Sequence, residues 1–140
     1  MAGKDTYRFS LEFEVRDYEC DLQGIVNNAV YQNYLEHTRH RFLKTIGIDF
    51  AEFTRWNIHL VVTRAELDYK HPLKSGERFR VSLNLERHSR LRFVFVQNIH
   101  RQPNNKLIVK ARFIATALNK HGKPFLLPEI EHTLLSTLLA

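Results

Sequence analysis

The feature that most constrains this chain is one long helical pattern set among segments of strict alternation. From Asn28 to about Ile46, apolar residues recur one, three and four positions apart, as on one stripe of an α-helix. Asn27 or Asn28 can cap its start, Gly47 follows its end, and Lys44 suits the negative end of the helix dipole. At about 1.5 Å per residue the helix spans roughly 28 Å, enough to cross a small sheet.

The segments around this helix predict strands. An alternation of period two marks a half-buried first strand, with one face formed by Tyr7, Phe9, Leu11, Phe13 and Val15. A short helical turn is predicted at Asp49–Arg55, and four further strands at Ile58–Tyr69, Phe79–Leu85, Leu91–His100 and Leu107–Leu118. On the second strand, one side is predicted to carry Val61, Thr63, Ala65, Leu67 and Tyr69.

The order β-α-β-β-β-β predicts an α+β fold, because each apolar face needs a covering layer. We expect an antiparallel sheet of about five strands wrapped around the long helix. A helix lying on an open sheet is the alternative. The last residues, Pro128–Ala140, have an amphipathic pattern that predicts a terminal helix packed on the body or on a neighbouring subunit.

Length and composition narrow the class of protein. A chain of 140 residues with 44% hydrophobic residues is expected to form one globular domain, residues 1–140, rather than a disordered segment. No apolar stretch approaches the ~20 residues that cross a bilayer, and the start lacks a secretory pattern, so a soluble cytoplasmic protein is expected. The single cysteine, Cys20, excludes a disulfide-stapled scaffold and a Cys-rich zinc site.

The loop before the helix carries a recognisable motif. The segment Val15–Tyr31 reads VRDYECDLQGIVNNAVY, in which Asp21, two variable residues, Gly24 and two aliphatic residues precede the helix. It resembles the signature of hotdog-fold thioesterases of the 4-hydroxybenzoyl-CoA thioesterase family, and is especially similar to the plant-type branch of acyl and dihydroxynaphthoyl-CoA thioesterases. The likeness extends through the later strands. One departure is Asn27-Asn28, where many members of the family carry Tyr-His.

A thioester carbonyl needs an attacking oxygen and stabilisation of the negative charge on its own oxygen. Asp21 can act as a general base on water or as a nucleophile, and the two routes stay open. Unpaired backbone N–H groups around Asn27, Asn28 and Ala29 can form the oxyanion site, with the backbone amide of Asn28 as the chosen donor. Glu36, on the polar side of the helix, is the reserve carboxylate. Each carboxylate also has a purely structural alternative. Asp21 can cap the helix or form a salt bridge with Arg16, and Glu36 can be solvated or paired with another side chain.

The resemblance also implies binding residues and an oligomer. Contacts with the substrate are expected from Gly24, Val26, Asn27, Tyr31, Val62 and Thr63. A basic turn matches the segment that contacts the phosphates of coenzyme A, and we expect contacts there from His88, Ser89, Arg90 and Arg92. The Asp of one subunit and groups of its partner meet across an interface, which implies a homodimer or a homotetramer. Neither a metal nor a cofactor is expected, since coenzyme A is part of the substrate.

Other functions are weighed against this one. The formal net charge of +6 suits nucleic acid, yet Phe93 and Phe95 share the alternation of a core strand and no common RNA-binding motif is present. A hydratase would need His where Val26 stands, and Cys20 lacks a local base to activate its thiol. We therefore predict a hydrolase of acyl-CoA or acyl-carrier-protein thioesters. A noncatalytic acyl-CoA-binding hotdog protein and a nucleic-acid-binding module are the alternatives.

Overall fold

A computed structural model describes residues 7–136, and the order of its elements follows the predicted one. The strands are β1 (Phe9–Glu14), β2 (His59–Tyr69), β3 (Arg78–Arg87), β4 (Phe93–Gln102), β5 (Lys106–Leu118) and β6 (Pro124–Phe125). The helices are α1 (Asn28–Thr45), α2 (Phe50–Arg55) and α3 (Pro128–Leu135), and a one-turn 3-10 helix covers Asp17–Glu19.

The strands form one antiparallel sheet in the order β1-β3-β4-β5-β2, with the short β6 beside β5. The strands β1 and β2 are therefore its edges. The long helix after the first strand and the meander of β3, β4 and β5 agree with the predicted α+β class, whereas β2 crosses to pair with β5 and not with β3. The strand β6 was not predicted, because two residues are too few to display an alternation.

The start and end of α1 follow the predicted capping residues. Asn27 is the N-cap, and its side-chain oxygen accepts a hydrogen bond from the N–H of Ala29 at 3.0 Å. Gly47 adopts a φ of +93°, a left-handed conformation that suits glycine and ends the helix. The helix buries Tyr31, Tyr34, Leu35, Thr38, Arg39, Phe42 and Leu43. Two of these, Thr38 and Arg39, are polar and were absent from the predicted apolar stripe.

The side assignment predicted for β2 is wrong in its first half. A register shift next to Val62 marks a β-bulge, which adds one residue to β2 relative to β5. The β5 partners of Leu60, Val62 and Ala65 are alternate residues of that strand, so these three face the helix together. Val61 therefore points to the opposite side, and Thr63 lies in the bulge instead of continuing the alternation.

The predicted terminal helix is present as α3, which starts at Pro128 and buries Ile130 in the main core. Its C-terminal cap, Ser136, contacts the guanidinium of Arg8 through its hydroxyl and carbonyl oxygens, so this end of α3 is tied to the start of the described chain. The predicted continuation to Ala140 lies outside the described residues. Within residues 7–136, no helix combines the length and apolarity needed to cross a membrane.

Candidate active site

The candidate site is built on a tight loop that leads into α1. Cys20 and Val26 face each other in an isolated antiparallel bridge, and the N–H of Asp21 donates to the carbonyl of Ile25 at 2.9 Å. The chain reverses between these residues through Gly24, whose φ of +83° requires glycine's freedom. The loop is fixed to the body because the N–H of Val26, itself buried, donates to the carbonyl of Leu73 at 2.9 Å.

The Asp21 carboxylate is exposed, and its two oxygens have different environments. One oxygen accepts hydrogen bonds from the N–H of Gln23 at 2.8 Å and from the N–H of Ile25 at 3.4 Å. The other oxygen has no hydrogen-bond or ion-pair partner within residues 7–136. The expected alternative, a pairing with Arg16, is not formed, since the Arg16 guanidinium donates to the Tyr18 hydroxyl at 2.8 Å. Asp21 therefore holds its own loop while keeping one oxygen available.

The amides at the start of α1 are not equivalent. The N–H of Asn27 donates to the carbonyl of Glu19 at 3.1 Å, and the N–H of Ala29 donates to the Asn27 side chain. The expectation that these two are unpaired is therefore wrong. The N–H of Asn28, the first residue of α1, has no partner in the described part of the chain. Because an N–H at a helix start also carries the positive end of the helix dipole, Asn28 is the remaining candidate for an oxyanion donor among the three.

Two tyrosines of α1 anchor the surrounding loops. The buried Tyr31 hydroxyl accepts a hydrogen bond from the N–H of Leu73 at 3.0 Å, and the Tyr34 hydroxyl donates to the Glu19 carboxylate at 2.7 Å. Burial, and then the bond to Glu19, raises the pKa of Tyr34 above its usual value. The predicted substrate contact Tyr31 is thus engaged in holding the Leu73 segment. The link between Glu19 and Tyr34 was missed by sequence analysis, because residues fifteen positions apart give no local signal.

A cavity of about 440 Å³, called the α2-side cavity below, lies between the second half of α1, α2 and the start of β2. Its apolar walls include Leu43, Phe50, Phe53, Leu60, Phe93 and Phe95. Glu36, Arg39 and Val62 also line it, and the Glu36 carboxylate lies 4.0 Å from the imidazole of His40. Two predicted site residues, Glu36 and Val62, thus border one cavity. The predicted contact Thr63 does not border it, and its hydroxyl donates to the carbonyl of Ile114.

A larger recess of about 920 Å³ lies on another side of α1. It is bordered by β1, by the 3-10 turn and by the polar residues Asn33, His37 and Arg41. Asp21 borders neither the recess nor the α2-side cavity. We give more weight to the α2-side cavity, because its walls are mainly apolar side chains of the kind that surround a bound acyl group.

The basic turn between β3 and β4 is exposed. The N–H groups of His88 and Ser89 both donate to the carbonyl of Arg92, so these two amides stabilise the turn and are not available to a phosphate. The guanidinium groups of Arg90 and Arg92 have no partner within residues 7–136. The predicted phosphate contact therefore reduces to these side chains, with His88 and Ser89 exposed beside them.

Several alternatives lose support from this geometry. Phe93 and Phe95 are 0% and 3% exposed, so they cannot stack on nucleic-acid bases. Partial burial, and then the nearby carboxylates, raises the pKa of the Cys20 thiol, which disfavours the nucleophilic thiolate. In the part of the chain that the structure describes, no group of three or more His, Cys, Asp or Glu side chains could hold a metal ion.

Comparisons with known proteins agree with this architecture. The family model described as the Thioesterase-like superfamily matches residues 15–134. A chloroplastic acyl-acyl carrier protein thioesterase of Arabidopsis thaliana is 39% identical over 128 residues, which cover 91% of this chain and 67% of the relative. A putative acyl-CoA thioesterase of Bacillus subtilis is 30% identical over 71% of this chain and 72% of its own length. The chain thus spans about two thirds of the length of its plant relative.

Solved structures show the same fold. A hypothetical protein from Aquifex aeolicus superposes with a TM-score of 0.79 at 30% identity, over 91% of this chain and 99% of that one. A 1,4-dihydroxy-2-naphthoyl-CoA thioesterase from Synechocystis superposes with a TM-score of 0.82 at 19% identity, over 91% and 94% of the two chains. The family and enzyme class predicted from the Asp21 motif are confirmed, and the chain belongs to the thioesterase-like superfamily of hotdog-fold enzymes.

Proposed function

We propose that this protein hydrolyses acyl thioesters of coenzyme A or of acyl carrier protein, with Asp21 and the backbone N–H of Asn28 at the reaction centre. The observation that carries the proposal is a carboxylate with one oxygen bound to its own loop and the other available, in the loop that leads to an unpaired helix-start amide. The names of the plant and Bacillus relatives support both classes of thioester.

In the general-base route, Asp21 removes a proton from water as the water oxygen attacks the thioester carbon. The oxygen of the resulting tetrahedral intermediate accepts a hydrogen bond from the N–H of Asn28. Collapse breaks the carbon–sulfur bond, and the thiolate leaves and takes up a proton. In the nucleophilic route, an Asp21 oxygen attacks the thioester carbon, and the carbon–sulfur bond breaks to give the mixed anhydride and a thiolate that takes up a proton. Water then hydrolyses the anhydride to the free acid and regenerates the Asp21 carboxylate. Water balances both routes, so neither needs a metal or a cofactor.

The proposed active unit is a dimer, because the two halves of the site lie at opposite ends of α1. Asp21 precedes the start of the helix, whereas the basic turn adjoins Phe93, which borders the cavity beside Leu43 near the helix end. A helix of 18 residues spans about 27 Å. We infer that one substrate reaches Asp21 of one protomer and Arg90 and Arg92 of its partner.

The exposed edge of β2 suits such a dimer. This strand has a neighbour on one side only, and Val62 and Tyr69 on it are 45% and 44% exposed. If two copies pair antiparallel along this edge, the end of one β2 lies beside the start of the other. Tyr69 contacts Tyr31 near the start of α1, so the pairing brings that helix start toward the partner's α2-side cavity, where the acyl group would lie.

The direct test is Asp21→Asn. The amide oxygen can still accept the hydrogen bond from Gln23, so the loop should stay folded, whereas the base or nucleophile is lost. We expect kcat for acyl-CoA hydrolysis to fall by about 100- to 10,000-fold with an unchanged melting temperature. Steady-state assays of thiol release measure this.

Glu36→Gln tests the reserve carboxylate, which lies on α1 at the border of the α2-side cavity and not in the Asp21 loop. Full activity of a folded Asp21→Asn variant, together with a large loss in Glu36→Gln, would move the base to Glu36. Acyl-CoA binding without turnover in the wild type would instead select the noncatalytic binding protein.

A further inference from the structure

Arg39 is the one charged side chain that is buried among residues 7–136, with 8% of its surface exposed. Its guanidinium carbon lies 4.0 Å above the ring of Phe113 and 5.9 Å from the ring of Phe95. Its Nη1 donates one hydrogen bond, to the side-chain oxygen of Gln97 at 3.1 Å. A guanidinium offers five N–H donors, so most of them are left without a partner in the described chain.

No carboxylate neutralises this charge. Glu36 is the nearest acidic residue on the same helix, but its carboxylate lies beside His40 and forms no ion pair with Arg39. Burial lowers the pKa of Arg39 to about 10, against a smaller raising effect of Glu36, so the group is still charged at neutral pH. A buried charge without a counter-charge carries a desolvation cost that stacking on aromatic rings offsets only in part.

The guanidinium is held in place by a second buried polar group. Gln97 is completely buried, and its side-chain nitrogen donates to the carbonyl of Leu35 at 3.1 Å. This bond orients the Gln97 oxygen toward Arg39, while Phe113 supports the face of the guanidinium. The charge is therefore fixed before any ligand arrives, a property expected of a binding site.

Arg39 also borders the α2-side cavity, where its remaining donors can meet a ligand. Arg39 lines that cavity, and none of its nitrogens is both sealed from solvent and without a partner. The cavity walls include the apolar side chains of Leu43, Phe50 and Phe53, and Glu36 and His40 also border the cavity. A plain hydrocarbon chain filling the cavity would remove water from the guanidinium and offer nothing in return.

Resting on the proposed function, we propose that the preferred acyl groups carry a hydrogen-bond-accepting oxygen remote from the thioester, which binds Arg39 in the α2-side cavity. A hydroxyl, keto or carboxylate oxygen would satisfy this chemistry, and the carboxylate would bind best because a guanidinium can bond to both of its oxygens. Arg39 is then the residue that selects the substrate, and Asp21 carries the reaction.

The test compares wild type and Arg39→Gln on matched acyl-CoA thioesters. One series has unsubstituted chains of increasing length, and the other has the same chains with a hydroxyl, keto or carboxylate oxygen. We expect Arg39→Gln to lower kcat/KM by about 10- to 100-fold on the oxygenated series and by less than about 3-fold on the plain series. The matched control is Arg41→Gln, which removes an exposed arginine of the same helix and should change neither series.

If Arg39→Gln does not fold, Arg39→Lys is the second variant for the same comparison, because it keeps the positive charge. The ammonium cannot bridge Gln97 and a ligand in the same way, so we expect a selective loss of several-fold on the oxygenated series. An equal loss on both series, or none, would overturn the selectivity and leave Arg39 a structural residue. A wild type that hydrolyses plain but not oxygenated thioesters overturns it too, while sparing the proposed function. A wild type inactive on every thioester would instead overturn the proposed function.

Discussion

The donor proposed for the oxyanion belongs to the main chain and not to a side chain. Asn28 occupies the first position of α1, where its N–H has no partner in the described chain. Its side chain is exposed and forms no hydrogen bond there. The family's usual Tyr-His at this place can therefore differ without removing the donor, since every residue except proline supplies an N–H.

Replacing Asn28 with proline removes the backbone N–H of this residue and so tests its role in catalysis. Proline is tolerated at the first position of a helix, and the preceding Asn27 already has the extended conformation, φ −65° and ψ 138°, that proline requires of its neighbour. We expect Asn28→Pro to lower kcat by about 100- to 1,000-fold while the free energy of unfolding changes by less than about 1 kcal/mol. Kinetic assays and urea denaturation measure the two quantities.

Asn28→Ala is the control, because it removes the side chain and keeps the N–H. It should retain at least about a third of the wild-type kcat. An Asn28→Pro variant as active as Asn28→Ala would remove the backbone amide from the mechanism.

At the residue scale, the sequence predicted the candidate carboxylate, an N-cap at Asn27 or Asn28, and the Asn28 amide as donor, but not that the neighbouring amides are paired. Asp21 and Asn27 are identifiable because their residue types suit their roles. The free amide depends instead on which neighbouring N–H groups find acceptors. The pairings of Asn27 with Glu19 and of Ala29 with the Asn27 side chain are set by the folded loop.

At the scale of elements, the contact between the 3-10 turn and α1 fixes the approach to the Asp21 loop. The Tyr34 hydroxyl, on a side chain that is 5% exposed, donates to the Glu19 carboxylate, and the Glu19 carbonyl accepts from Asn27. One residue of the turn thus bonds both to the middle of the helix and to its cap. Loss of this contact would loosen the loop at its base.

Tyr34→Phe tests this contact. Removing a hydrogen bond to a carboxylate at a partly buried site should lower the free energy of unfolding by about 1–2 kcal/mol at pH 7. The raised pKa of Tyr34 means that the folded state holds the proton more tightly than the unfolded chain does. The stabilisation is therefore fully present below pH 10.0, the usual tyrosine value, and is lost as the pH rises through the higher folded value.

Urea denaturation of both proteins across the pH range measures the difference in stability. Tyr18→Phe, at a tyrosine that is 77% exposed, is the control and should change the free energy of unfolding by less than about 0.5 kcal/mol. A Tyr34→Phe variant as stable as Tyr18→Phe would show that the contact contributes nothing.

The order of the elements was predictable because the long helical stripe and the alternating strands leave few arrangements that bury every apolar face. The bulge in β2 was not, because an alternation read from the sequence assumes an unbroken register. It matters for the site because the register turns the Val62 side chain toward the helix, beside a cavity that Val61 also borders. The buried Arg39 was also missed, because a charged residue interrupts an apolar stripe and is assigned to the surface by default.

At the scale of the whole molecule, the proposed site takes Asp21 from one chain and the basic turn from another. Asp21→Asn removes the first part, and Arg90→Gln with Arg92→Gln removes the second. We expect the double variant to raise KM for acyl-CoA about 10-fold or more, with little change for a truncated thioester that lacks the phosphates. An equal rise for both substrates would remove the phosphate role.

Combining an Asp21→Asn chain with an Arg90→Gln, Arg92→Gln chain in one dimer decides whether the site is shared. Activity is assayed at acyl-CoA concentrations well below the raised KM, where both variants are nearly inactive. In a mixed dimer with shared sites, one site combines both defects and the other combines two intact halves. Coexpression and purification of that mixed dimer should therefore restore about half of the wild-type activity. If each site belonged to one chain, every site would carry one defect and no activity would return.

The open edge of β2 has a further consequence for how the protein behaves in solution. If that edge closes only against another copy, the specific activity of each chain depends on how much protein is present. Dilution below the dissociation constant of the dimer would then abolish activity without unfolding the chain. The amount of protein that a cell makes would itself regulate turnover.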